Sequence, residues 1–135
     1  VCTIGAMSNR VPFLCIAICL IAPGALAAAS CDTAAAPQVP VIKGLDYDHA
    51  RATLLAAGWQ PGHGSQFTDM AGNQAAFHDR GYTELQSCSL DASNACYFNF
   101  NASGNIMLRV TTEGEENHLL DTKAVVRSAE LGCQQ

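Results

Sequence analysis

Basic residues are scarce in this 135-residue chain: seven Lys and Arg stand against twelve Asp and Glu, for a formal net charge of −5. They form no basic patch. Nucleic acids and anionic membrane surfaces are held mainly through Lys and Arg, so both are poor partners for such a chain. A cationic partner is permitted. Chemical signatures are missing too. There is no Gly-x-Ser-x-Gly elbow for a serine nucleophile, no Cys-x-x-Cys, and no histidine at zinc-finger spacing. The sequence therefore points to no catalytic residue, no metal ligand and no cofactor. Long apolar runs are absent as well. The longest, Val11–Ala22, stops at Pro23-Gly24, short of the ~20 residues of a membrane-spanning helix.

That short run has the layout of a secretory signal peptide of bacterial type. Arg10 precedes it, Pro23-Gly24 breaks it, and the small residues Ala25–Ser30 follow. Ala25 and Ala27 supply the small side chains needed at −3 and −1, which predicts cleavage after Ala27, with Ala29 as the alternative. Two rival readings remain. An uncleaved anchor would have to run through Pro23-Gly24. Lipidation at Cys31 has small residues upstream, Ala28-Ala29-Ser30, but lacks the usual Leu at −3. The expected organisation is a signal peptide over 1–27, an extended leader over 28–40 and one domain over 41–135. Its mature form would be a periplasmic or secreted monomer that does not insert in a membrane.

Cys2, Cys15 and Cys19, three of the seven cysteines, would leave with the signal peptide. Cys31, Cys88, Cys96 and Cys133 remain, an even number suited to an oxidising compartment. Four cysteines allow three pairings. Cys88 and Cys96 flank the polar loop Ser-Leu-Asp-Ala-Ser-Asn-Ala between two strand-like runs, so a hairpin staple is the natural choice. Cys31 and Cys133 would then tie the ends of the domain together.

Periodicity gives the elements. Val41-Ile42 is a short strand candidate. Asp46 caps a helix over 47–57 that Gly58 ends, with Tyr47, Ala50, Leu54 and Leu55 as its buried stripe. A weaker helix spans 69–79, with Met70 and Phe77 on one side and Gly72-Asn73 as an internal flaw. From Tyr82 the period becomes two. Strands are expected over 82–89, 96–101 and 106–111, with a fourth of poorer alternation over 124–131. The fold class is α+β: two helices packed on a three- to four-stranded antiparallel sheet.

Pro40-Val-Ile-Lys-Gly44-Leu45, followed by Ala50, Leu54 and Ala57-Gly58, resembles the opening of a PASTA domain over residues 39–58. PASTA modules are usually repeated and lack disulfides, whereas here one copy accompanies two expected bridges. The resemblance implies an extracytoplasmic module and contact with peptidoglycan. The matching residues are packing and capping residues: Gly44 turns the chain, Ala50 allows close helix approach, Gly58 takes a left-handed cap. The rest of the layout is similar only in architecture to small secreted modules of the β-lactamase-inhibitor-protein type.

For binding, the residues of choice are Trp59, beside the loop Gln60–Ser65, and Tyr97, Asn99 and Arg109 on the outer sheet face, with Asn101 beside them. Trp59 has two readings: a lid on the end of the core, or an aromatic platform for a sugar or peptide. The four histidines, His49, His63, His78 and His118, read as solvated side chains, and Glu113-Gly-Glu-Glu116 as a solvated acidic turn. The expected function is a non-enzymatic module that recognises a cell-envelope polymer or a protein partner. The alternatives are an acidic inhibitor of a cationic hydrolase and a small hydrolase using a histidine, such as His63, with the Glu113–Glu116 cluster.

Overall fold

A computed structural model describes residues 30–135, so the signal peptide expected over 1–27 and its cleavage positions lie outside the described residues. The chain is α+β: helix α1 (Tyr47–Ala56), strand β1 (Gln60–Pro61), helix α2 (Gly72–Asp79) and strands β2 (Leu85–Cys88), β3 (Cys96–Ala102), β4 (Ile106–Glu113) and β5 (Val125–Cys133). All pairings are antiparallel. The sheet has five strands because the two-residue β1 joins it. β1 and β2 lie end to end along one edge of β3, opposite its C-terminal and N-terminal halves respectively. Asn99 sits at their junction: its carbonyl accepts from Gly62 and its N–H donates to Glu84.

Alternation decides the faces. Cys96, Phe98 and Phe100 on β3 and Ile106, Leu108 and Val110 on β4 point inward and are buried. The helices supply the opposing layer. Asp46 caps α1 by accepting from the His49 N–H, and Tyr47, Ala50 and Leu54 form the buried stripe, with Leu55 half-buried at its margin. Tyr47 stacks on Phe98 with ring centroids 3.7 Å apart, and Phe77 of α2 meets Phe98 edge-on at 5.0 Å. Gly44 and Gly58 take φ of +85° and +96°, the left-handed conformation their positions require.

Several sequence expectations need correction. Val41-Ile42 forms no strand: Val41 is exposed, and only Ile42 reaches the core. The backbone there turns to bond β5 through Gly44 and Leu45. Helix α2 starts at Gly72, not Asp69, so Met70 precedes it. Gly72-Asn73 is its beginning rather than an internal flaw. Asn73 is buried and knits three segments together. Its Nδ2 donates to the carbonyls of Asn94 and Gly114, and its Oδ1 accepts from the Glu116 N–H. The strand expected over 82–89 is shorter, since residues 82–84 turn into it.

Both bridges join the expected partners: Cys31–Cys133 across 102 residues and Cys88–Cys96 across 8. The first ties the segment before α1 against the end of β5, and a short 3-10 turn, Thr33–Ala35, interrupts that otherwise extended segment. No described helix is long and apolar enough to cross a membrane. The two disulfides are compatible with an extracellular or periplasmic location.

Candidate functional site

On the outer face of the sheet, Tyr97, Asn99 and Asn101 of β3 lie opposite Thr111, Arg109 and Met107 of β4 in strict register. The strand period puts all of them on the side the helices do not cover. Two depressions indent this face. One, of about 430 Å³, is bounded by Gly62, His63, Asn99, Asn101, Met107, Arg109 and the chain end from Cys133 to Gln135. The other, of about 280 Å³, is bounded by Gln86, Ser87, Tyr97, Asn99 and Arg109. Asn99 and Arg109 form the wall they share.

The loop Gln60–Ser65 reaches this face because of its glycines. A Cβ at Gly62 would stand 2.5 Å from the Asn99 carbonyl oxygen, and one at Gly64 only 1.7 Å from that of Leu85. Only glycine allows so close an approach of loop to sheet. His63, between them, is thereby brought beside Asn99, and its carbonyl accepts from the Gln86 side chain.

The chemistry of the face is that of recognition. Carboxamides offer donors and acceptors together, and the Tyr97 ring, 38% exposed, offers a flat apolar surface. Arg109 is exposed and has no carboxylate within ion-pair distance among the described residues, although Glu130 lies opposite it in register. The Asn99 Oδ1 is buried without a hydrogen-bond partner.

Tyr97, Asn99 and Arg109 are therefore brought together, and Trp59 is not. Its indole is fully buried and its Nε1 donates to the Gln38 carbonyl, 3.2 Å away, beneath the N-terminal segment. An aromatic platform needs an open ring face, so Trp59 is the lid on the core end. Gln86, His63 and Met107 complete the depressions. The alternation of β4 already puts Met107 beside Arg109, but nothing in the sequence marked His63 and Gln86 for this face, because their placement depends on how β1 and β2 share the edge of β3.

The acidic turn divides in two. Glu115 is exposed and Glu113 pairs with Arg127 at 3.3 Å. Glu116 departs from the expectation of a solvated turn: it is buried, accepts from the Ala124 N–H at 2.9 Å, and pairs with Arg80 and Lys123. It is a brace for the loop. Among the histidines, His49 pairs with Asp46, and His78 lies 3.7 Å from Asp79. Among the described residues no three His, Cys, Asp or Glu side chains are grouped to hold a metal ion.

A second cluster lies under α1. Asp48 accepts from Arg80 and from the Tyr82 hydroxyl, while the Arg51 guanidinium lies 4.6 Å from the Tyr82 ring centre. Burial alone would raise the Asp48 carboxyl. The Tyr82 hydrogen bond and the Arg80 and Lys123 charges outweigh it and hold the group below the usual aspartate value. Every member of this cluster is engaged by another, which makes it a fastening between helix and loops. Compared with protein-family models, curated proteins and solved structures, the chain matches none.

Proposed function

We propose that this chain is an exported, non-enzymatic binding module that recognises a cell-envelope polymer with its outer sheet face. The observation that carries the reading is the pair of adjoining depressions with Asn99 and Arg109 as their common wall. Paired shallow subsites on a rigid sheet suit an extended, repetitive ligand better than a small molecule, which a deep enclosed cavity would bury. The residues that make contact are Tyr97 as a stacking surface, Asn99 and Asn101 as hydrogen-bonding amides and Arg109 as the one cation. The leader-like start and the two disulfides support a periplasmic or secreted location. The local PASTA resemblance makes peptidoglycan the first polymer to try.

The test is co-sedimentation of the oxidised protein with isolated peptidoglycan sacculi over a salt series. Salt-resistant pelleting that is lost in Asn99→Ala and Arg109→Ala, with unchanged circular dichroism, is the expected result. Protein that stays in the supernatant, or pelleting that neither variant affects, overturns the reading.

A further inference from the structure

The connection between β4 and β5 holds a feature with no part in the sheet face. Asn117 and Thr122 bond each other through both backbone hydrogen bonds, each 3.0 Å, and close the turn His118-Leu119-Leu120-Asp121. The Asn117 Oδ1 accepts from the N–H groups of Leu119 and Leu120, and its Nδ2 donates to Glu115. The root is fastened by the buried Glu116, whose N–H donates to Asn73 and whose carboxylate accepts from Ala124 and Arg80. The turn is thus held in one shape.

It nevertheless presents two adjacent leucines to water: Leu119 is 82% exposed and Leu120 64%. Scattered surface leucines are ordinary. Two together on a braced turn are different, because a pre-shaped apolar tip loses little conformational freedom when it docks. The charge around the tip is of one sign. Glu115 and Asp121 flank it, and the neighbouring recess of about 560 Å³ is bounded by Asp79 and Glu115, with no Lys or Arg in its wall. The two cations at the root, Arg80 and Lys123, are already engaged by Asp48 and Glu116.

We infer that the His118–Asp121 turn is a docking knob for a protein whose surface carries an apolar recess bordered by Lys or Arg. Complementary charge selects that partner. An anionic membrane would be repelled by Glu115 and Asp121, and a second copy of this chain would bring net negative charge to an acidic tip.

The experiment places a photoreactive benzoyl-phenylalanine at Leu119 of the full chain in its own cells, with Val41, 92% exposed, as the control position. Any protein captured at Leu119 is purified and its affinity measured at low and high salt. The probes are the unaltered chain, Leu119→Ser/Leu120→Ser and Glu115→Gln/Asp121→Asn. The knob predicts a discrete adduct absent at Val41, to a basic protein. Its affinity falls about tenfold or more in the leucine variant, whose thermal melt is unchanged. Affinity also falls with salt, and less steeply in the Glu115/Asp121 variant. No adduct above the Val41 control, an adduct to lipid or to a second copy, or an affinity the leucine variant leaves unmoved overturns the inference. None of these outcomes touches the sheet-face reading, which the sacculus experiment decides separately.

Discussion

The Tyr47 hydroxyl donates to the Glu84 Oε1 across 2.8 Å inside the core, with the residues 1% and 0% exposed. Arg51 Nε donates to the same oxygen at 2.6 Å, while the Oε2 has no partner. Burial first, and then the neighbouring Glu84 charge, pushes the Tyr47 phenol far above its ordinary value, so it acts as a permanent donor. The bond ties α1 to the residue that precedes β2.

Removing Glu84 leaves the buried Tyr47 hydroxyl without its acceptor, whereas removing the hydroxyl leaves Glu84 its bond from Arg51. Glu84→Ala should cost about 1–3 kcal/mol in urea unfolding, the scale for leaving the buried Tyr47 hydroxyl unsatisfied, because the Arg51 it also frees is partly exposed and can be solvated. Tyr47→Phe should cost about 1–3 kcal/mol, the scale of one lost buried hydrogen bond. The double variant should lose less than the sum by at least about 0.5 kcal/mol. Additive losses would mean that the contact carries no coupling.

Trp59→Ala distinguishes a lid from a platform. The side chain is fully buried, so truncation should cost about 3–5 kcal/mol. Sacculus binding per folded molecule, measured well below the new melting temperature, should be unchanged. Loss of binding without loss of stability would restore Trp59 to the binding surface.

The two bridges should differ in worth because they close loops of very different length, 102 and 8 residues in separation. Chain entropy gives about 4–5 kcal/mol for the long loop and about 2–3 kcal/mol for the short one. Replacing Cys31 and Cys133 together by Ser should therefore lower the urea midpoint more than replacing Cys88 and Cys96. The reverse order would show that the staple beside β3 acts through native packing instead.

Asp48 predicts an acid limb in the stability profile. Its folded pKa lies below the unfolded value of about 3.9, so its contribution is present above that pH and fades as pH falls through the folded value. Unfolding midpoints should drop below about pH 4, and Asp48→Asn should flatten part of that drop. Asp46 is also lowered and supplies another part: burial raises it, but its hydrogen bonds from His49 prevail. The change should be modest, since the Asp48 side chain is 39% exposed and screened by solvent. A profile identical in the Asn variant would remove Asp48 from the account.

What could be read from the residues was whatever depends on local rules. Alternation in Cys96–Phe100 and Ile106–Val110 gave two strands and assigned their faces. The Asp46 cap and the Gly58 stop bounded α1, and the spacing of Cys88 and Cys96 across a polar loop paired them. The same alternation placed Tyr97, Asn99 and Arg109 together on an outer face. Tertiary structure decided what local rules leave open. Trp59 went inward because the segment before α1 folds over it and the Gln38 carbonyl takes its N–H. Glu116 became a buried brace and Glu115 an exposed neighbour, because Arg80 and Asn73 from distant segments converge on one and not the other. β1 exists only because Gly62 and Gly64 let a loop lie flat against β2 and β3. Strand period and helix caps act over a few residues and are written in the chain. Burial of a polar or aromatic side chain depends on which distant groups arrive to satisfy it, and only the folded molecule brings those together.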